Sequence, residues 1–226
     1  MKRSIWVVLF VFLCSSLTFA QGTGDYKRLE FFAGFSHNRV DTSVGDDDAE
    51  FGDLIGERTG FNGFNASMTG NVLRYVGLKF DFSGHYRSDT LRVNLVIPCQ
   101  PAPLCLPPIV PADVRARASL YNFLGGVQFK DNTRDARVKP FGHLLVGAAH
   151  ARFDVDDEGC VQAVGVPCPA ELEDSETGFA GAFGGGLDVR LSDRVDFRAI
   201  QLDYNPTRIN DATQHNFRIG IGIVFR

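Results

Sequence analysis

The chain has 226 residues, a formal net charge of −4 at pH 7 and 24 glycines. Proteins that bind nucleic acid carry a basic surface, so this mild acidity argues against a nucleic-acid partner. The length suits one domain. After the N-terminal leader no window of about 18 consecutive apolar residues occurs, so any membrane span would have to be a closed β-barrel, since lipid cannot satisfy an open strand edge.

The first predicted element is a secretory leader at residues 1–20. Two basic residues follow the initiator methionine, residues 5–13 form an apolar core, and residues 18–20 (Thr-Phe-Ala) give a small-x-small cleavage site. The apolar core is too short to cross a bilayer as a helix, which needs about 20 residues. The sequence therefore predicts a cleaved signal peptide and one mature domain, residues 21–226.

Eight segments of the mature chain alternate between large apolar residues and small or polar ones, as strands between two different surroundings do. They are residues 29–40, 60–73, 76–87, 117–129, 138–155, 177–191, 195–208 and 217–226. The pattern leaves the register of the fifth segment open. The seventh loses phase at Ala199-Ile200, where a β-bulge would keep one face continuously apolar.

The final strand carries the clearest pattern. Every second residue is large and apolar, which puts five on one face: Phe217, Ile219, Ile221, Ile223 and Phe225. The other face holds an arginine at each end, Arg218 and Arg226, with two glycines and Val224 between them. Bulky residues on one face and small or charged residues on the other suit a narrow barrel with lipid outside and packed polar groups inside.

Short and long connections alternate between the predicted strands. The short ones are residues 74–75, 130–137 and 192–194, and the other set, mostly long, is 41–59, 88–116, 156–176 and 209–214. This sorting is typical of outer-membrane barrels, with periplasmic turns and extracellular loops. The predicted fold is an all-β, eight-stranded, antiparallel, up-and-down transmembrane β-barrel.

The whole strand pattern resembles the outer-membrane β-barrel domain of the OmpA/OmpX type. Four local runs share this resemblance: residues 65–71 (NASMTGN), 81–86 (DFSGHY), 139–143 (KPFGH) and 184–188 (GGGLD). The resemblance implies export to the outer membrane, and it implies outer-membrane lipid, periplasmic chaperones and the outer-membrane assembly machinery as partners of a monomer. It also implies that the five apolar residues of the final strand form the assembly signal. Two features depart from the pattern, since Arg226 follows the last aromatic residue and no peptidoglycan-binding domain follows the barrel.

The strand alternation predicts a set of inward-facing charged residues of both signs. They are Glu30, Lys79, Asp81, Asp188, Arg190, Asp196, Arg198, Asp203 and Arg218. Unpaired charges in a narrow lumen are costly, so these residues are expected to pair or to stay hydrated. An eight-stranded barrel leaves room only for side chains, which favours a polar plug over the alternative, a small porin-like channel.

Four cysteines of the mature chain lie in predicted long loops. Cys99 and Cys105 fall in the second loop, and Cys160 and Cys168 in the third. The oxidising periplasm favours disulfides, and near-neighbour pairing is expected, although four cysteines permit three connectivities. A zinc site is the rival interpretation, which the wide spacing and the absence of flanking histidines disfavour.

An enzyme is the less favoured functional class. Ser83, His85, His143 and His150 could supply a nucleophile and a base, but no spacing forces them together and no Gly-x-Ser-x-Gly motif occurs. Acidic runs near residues 46–48 and 154–158 lack the spacing of a calcium-binding loop, so no metal and no cofactor are expected.

The leading functional prediction is a structural, surface-exposed outer-membrane barrel with disulfide-clipped extracellular loops, which could mediate surface contacts. The second alternative to it, besides the porin-like channel, is a soluble lipocalin-like ligand-binding barrel. That class requires an apolar interior and a polar exterior, and its early Gly-x-Trp signature is missing.

Overall fold

A computed structural model of the protein describes residues 26–40, 59–96, 109–133, 136–156, 172–209 and 212–226. Among these residues eight strands occur, named here β1 to β8 in chain order: Leu29–Val40, Thr59–Asn71, Val76–Val96, Ile109–Lys130, Val138–Asp156, Leu172–Arg190, Val195–Ile209 and Ala212–Phe225. Within the described ranges there is no helix long and apolar enough to cross a membrane.

The eight strands form one closed antiparallel barrel in which each strand pairs with its neighbours in the chain. Closure joins the first strand to the last, from the pair Phe31↔Phe225 to the pair Arg39↔Phe217. The predicted fold class is therefore confirmed. The two-residue side-chain period of each strand then assigns alternate residues to the lumen and to the outer surface.

The outer surface of the barrel is a band of large apolar side chains. Phe80 is 62% exposed and Phe123 is 56% exposed, while the neighbouring Asp81 and Asn122 are 3% and 0% exposed. This arrangement is the reverse of what a lipocalin-like barrel requires. It also settles the register of β5, where Leu144 is exposed and Leu145 is buried.

A β-bulge interrupts β7 at the predicted position. Leu187 pairs with Ile200 and Asp188 with Arg198, so Ala199 has no counterpart on β6. The register on the other side shifts between Arg198 and Gln201. The extra residue keeps the apolar side chains of β7 on the outside and its polar ones inside.

The strands β3 and β4 are much longer than the sequence pattern predicts. Their ladder continues to the pair Val96↔Ile109, so most of the predicted connection 88–116 is strand. The predicted third strand ends at Arg87, although the alternation of polar and apolar residues resumes at residues 90–95 (Thr-Leu-Arg-Val-Asn-Leu).

Candidate functional site

The lumen contains a network of buried charged side chains with Arg218 of β8 at its centre. The guanidinium donates to Asp203 Oδ2 from Nε and Nη2, at 2.9 and 2.7 Å, and to Asp81 Oδ1 from Nη1, at 2.8 Å. It also donates to Ser83 Oγ at 3.0 Å. Since β3 and β8 are not neighbours, this arginine ties opposite walls of the barrel together.

A histidine and a lysine extend this cluster across the lumen. His143 Nε2 lies 2.9 Å from Asp203 Oδ1, and Lys79 Nζ lies 3.3 Å from His143 Nδ1. Lys79 Nζ is also 3.7 Å from Asp81 Oδ2. All four side chains are fully buried, so the contacts join β3, β5 and β7 in a water-poor environment where ion pairs are strong and unpaired charges are costly.

A second cluster surrounds Asp188, nearer to the short turns. Asp188 Oδ1 accepts from Arg198 Nε at 2.8 Å, and its Oδ2 accepts from Lys130 Nζ at 2.6 Å. Lys130 Nζ also donates to Glu30 Oε2 at 2.9 Å. The carboxylates of β1 and β6 therefore share one ammonium group from the end of β4.

Two aromatic rings hold the Arg198 guanidinium between them. Its central carbon lies 4.2 Å from the ring centroid of Phe32 and 4.1 Å from that of Phe141, which is cation–π geometry. Glycines make space for the rings, because a Cβ at Gly186 would lie 2.8 Å from Phe141 Cζ and one at Gly222 would lie 2.8 Å from Phe32 Cε2. Ring atoms thus occupy the space that these inner-face glycines leave in the lumen.

Arg226, the residue after the last aromatic, closes the network at its turn end. Its side chain is 3% exposed, its Nε lies 3.1 Å from Glu30 Oε1, and its Nη2 pairs with Asp196. Lys139 Nζ approaches Asp196 Oδ2 at 3.9 Å. Arg226, which follows the last aromatic residue of β8, therefore supplies a cation to the lumen.

The charges of the interior nearly balance. The described lumen-facing side chains include six cations and five carboxylates: Lys79, Lys130, Lys139, Arg198, Arg218 and Arg226, with Glu30, Asp81, Asp188, Asp196 and Asp203. Toward the loops the interior becomes largely apolar on one wall, where a core cluster packs: Val40, Phe61, Leu120, Leu124, Leu145, Ala149, Ala180 and Ala182. This apolar cluster starts beside the polar network, since Leu124 pairs with Asp81, and buried asparagines lie at the loop-side ends of other strands: Asn38, Asn205 and Asn216.

Arg190 lies outside this network. It is at the end of β6, its side chain is 29% exposed, and it pairs with Asp193 of the following turn. The strand alternation predicted Arg190 as part of the lumen network, but it could not show that the strand ends at this residue, at the rim of the barrel. The other eight predicted lumen residues are buried.

The serine and histidines that suggested an enzyme are separated. Ser83 contacts Arg218 and Asn122, and His150 contacts the hydroxyl of Thr177 near the loop end of β5. His85 Nε2 lies 2.9 Å from Ser36 Oγ, at a place where both side chains are fully buried. Cys99, Cys105, Cys160 and Cys168 lie outside the described residues, and within those residues no cluster of three or more metal-binding side chains occurs.

Two lysines of the network were missed by the sequence analysis, and Arg226 was placed on the inner face of the final strand without being counted among the lumen charges. Lys130 begins the predicted connection 130–137, and Lys139 lies in the predicted fifth strand. The alternation on β4, continued from Asn122 through Gln128, would have placed Lys130 inward. Assigning Lys139 to the lumen required the register of β5.

The chain belongs to the outer membrane protein beta-barrel domain family, whose profile matches residues 7–225. It is therefore a small outer-membrane β-barrel protein, with the short turns of β2–β3, β4–β5 and β6–β7 on the periplasmic side as in other such barrels. No curated protein sequence matches the chain.

Among solved structures, the chain is similar to Ail, the attachment invasion locus protein of Yersinia pestis, crystallised in complex with the heparin analogue sucrose octasulfate. The TM-score is 0.51 at 16% identity, and the alignment covers 88% of this chain and 98% of Ail. Neisserial surface protein A gives a TM-score of 0.48 at 11% identity, covering 87% of this chain and 96% of that protein. At 16% identity the likeness to Ail shows the barrel fold.

Proposed function

We propose that this protein is a structural outer-membrane barrel whose projecting β-sheet and loops make contacts at the cell surface. The observation that carries the proposal is the unequal length of the strands. The pairing of β2 with β3 ends at Asn62↔Tyr86, yet β3 continues for ten further residues, 87–96, paired with β4. At about 3.3 Å per residue this adds roughly 30 Å of strand on the loop side.

The strands β5 and β6 extend the same sheet. Their ladder reaches Val155↔Leu172, whereas the pairing of β6 with β7 begins at Phe179↔Arg208. In the described part of the chain, residues 87–96 and 172–178 are therefore paired on one side only. Such strand edges are ready templates for an extended segment of another protein, which adds as a further strand through main-chain hydrogen bonds.

Disulfides that clip the two connections of this sheet are part of the proposal. The pair Val96↔Ile109 brings together the ends of residues 97–108, which contain Cys99 and Cys105. The pair Val155↔Leu172 does the same for the segment with Cys160 and Cys168. Near-neighbour pairing in each segment would stabilise it by roughly 2–3 kcal/mol in the chain-entropy model.

The remaining parts of the proposal are a signal peptide at residues 1–20 that is cleaved on export, a monomeric barrel, and insertion by periplasmic chaperones and the assembly machinery through the final-strand signal. No catalytic activity is assigned, because Ser83 contacts neither His85, His143 nor His150 in the described contacts. The buried network disfavours the porin-like alternative, since it fills the lumen that ions would cross.

A hairpin truncation tests the surface role. Ser88 pairs with Arg117, so residues 89–116 can be replaced by Asn-Gly, a two-residue hairpin turn, while the barrel ladder stays intact. Cells that display the full-length protein should attach to immobilised extracellular-matrix protein or to one another more than cells without it. The truncated variant should lose this attachment.

The matched control shortens a different long connection. Replacing residues 43–57 by a short glycine-serine linker shortens the connection between β1 and β2, leaves β3 to β6 unchanged in sequence, and should leave attachment unchanged. Both variants must show the heat-dependent gel mobility shift of a folded barrel. Equal attachment by the hairpin-truncated and full-length proteins would contradict the proposed function.

A further inference from the structure

A polar pocket of about 420 Å³ opens at the periplasmic end of the barrel, separate from the projecting sheet. Five cationic residues, two acidic residues and one serine line it: Lys27, Lys139, Arg190, Arg194 and Arg226, with Asp193 and Asp196, and Ser192. Lys139, Arg226 and Asp196 also belong to the lumen network, and the four cations and four carboxylates that remain in that network balance, so the excess positive charge lies at the pocket.

The cations of the pocket differ in how far their charge is already satisfied. Arg226 pairs with Glu30 and Asp196. The Lys139 side chain is 1% exposed, and its partner Asp196 lies 3.9 Å away, beyond hydrogen-bonding distance. No described protein acceptor lies within hydrogen-bonding distance of Lys139 Nζ, so an anion in the pocket would add hydrogen bonds that the protein does not supply.

Hydrogen bonds fix the backbone at Lys27 and Arg194. Asn71 Nδ2 donates to the Lys27 carbonyl at 2.8 Å, which fastens the segment before β1 across the periplasmic mouth. Ser192 Oγ accepts from the Arg194 amide at 3.3 Å, and Arg226 N donates to the Arg194 carbonyl at 2.9 Å. A site with fixed backbone loses less entropy when it orders a ligand.

The depth of the pocket indicates the kind of anion. Leu191, immediately before Ser192, is 63% exposed, and Val138 and Phe225 on the neighbouring outer face are each 51% exposed. These side chains mark the periplasmic edge of the lipid-facing band, where the headgroups of the inner leaflet lie. Arginine and lysine together suit phosphate, arginine through its planar fork and lysine as a compact charge.

We propose that the pocket formed by Lys27, Lys139, Arg194 and Arg226 binds a phosphate-bearing anion, with the headgroup of an inner-leaflet phospholipid as its source. The phosphate sits between the Lys27 and Arg194 side chains and faces Lys139. Free phosphate has the same chemistry, and the experiment separates the two sources.

The test compares lipid retention in three proteins refolded in neutral detergent: the wild type, K27A/R194A, and the matched control R74A/R137A. The control also removes two positive charges from periplasmic turns, at exposed positions that do not line the pocket. Native mass spectrometry titrates phosphatidylglycerol, a diacylglycerol with the same chains, and inorganic phosphate. The gel mobility shift confirms that every protein is folded.

We expect one phosphatidylglycerol per wild-type and R74A/R137A barrel, at least about tenfold weaker retention by K27A/R194A, and no retention of diacylglycerol. Binding of inorganic phosphate that K27A/R194A loses, without retention of phosphatidylglycerol, would support the phosphate site and assign it a soluble source. The proposal is overturned if K27A/R194A binds both probes as the wild type does, or if the wild type binds neither.

Discussion

At the scale of single residues, the interior is organised by a few cations that each neutralise more than one carboxylate. Arg218 pairs with Asp81 and Asp203, and Lys130 pairs with Glu30 and Asp188. Sharing reduces the number of charges that a narrow lumen must bury. It also means that removing Arg218 weakens the pairing of two buried carboxylates at once. Among the described ion-pair contacts, Asp81 then keeps only Lys79 and Asp203 keeps only His143.

Arg218→Met should therefore destabilise the folded barrel by about 3–5 kcal/mol, the usual cost of breaking a buried ion pair. The side chain is 1% exposed, so solvent cannot compensate for the loss. Urea titration of the refolded protein, followed by its gel mobility shift, measures the change. Arg190→Met is the matched control, because its pair with Asp193 is exposed and should be worth less than about 1 kcal/mol.

The outer face offers a second residue-scale prediction. Phe80 is 62% exposed in the middle of the lipid-facing band, so Phe80→Arg should cost roughly 2–4 kcal/mol and reduce the yield of inserted protein. Leu73→Arg introduces the same charge at a 60% exposed position in the β2–β3 turn, where the cost should be about 0–1 kcal/mol. Equal insertion of both variants into liposomes would contradict the assigned membrane position of β3.

At the scale of the element, the bulge in β7 makes an unusual prediction. Deleting Ala199 leaves Phe197 outside, Arg198 inside, Ile200 outside and Gln201 inside, which is plain alternation. The pairs Asp188↔Arg198 and Leu187↔Ile200 would become consecutive. The deletion should therefore fold, with a change in stability below roughly 2 kcal/mol in the urea titration.

Deleting Ala148 provides the control, since this alanine lies in β5, whose ladders with both neighbours are regular. The loss of one residue there turns every following side chain to the other face. Ala149 would then face lipid and the exposed Phe153 would face the lumen. We expect no folded band for this variant, and a folded one would mean that β5 tolerates a register shift.

The elements were predictable because lipid and lumen impose opposite requirements on alternate residues. The bounds of β1 agree exactly with the sequence pattern, and the phase change at Ala199-Ile200 predicted the bulge. The predicted β3 ends at Arg87, although residues 90–95 continue the alternation of polar and apolar residues. Whether such a segment is a strand depends on its pairing with another strand, which periodicity alone does not report.

The candidate site was predictable as a set of inward charges but not as a set of pairs. Alternation along β3 assigns Lys79 and Asp81 to the lumen, yet it carries no information on which strand lies opposite. The contact between Arg218 and Asp81 spans 137 positions of the chain and arises from barrel closure. Lys139 depended on the register of β5, which only the packing of Leu144 and Leu145 resolves.

At the scale of the whole molecule, the proposed disulfides predict which thiols are accessible. On intact cells a membrane-impermeant maleimide should label none of Cys99, Cys105, Cys160 and Cys168 before reduction and all four after it. The double substitution C99S/C105S should leave no free thiol, because the other pair remains closed. A free thiol in that variant would indicate pairing between the two loops.

The last prediction concerns the lumen as a whole and separates a closed barrel from a channel. Phe32 and Phe141 hold Arg198 in the polar network, and an apolar core that includes Leu124 and Leu145 packs beside that network. The charged network and the apolar core together fill the lumen. Planar-bilayer recordings should therefore show no steady conductance for the wild type, nor for Phe141→Ala, which leaves Arg198 and Arg218 in the lumen. Adding Leu124→Ala and Leu145→Ala should leave the lumen closed as well, because the buried ion pairs remain, and steady conductance by the wild type would make the protein a small channel.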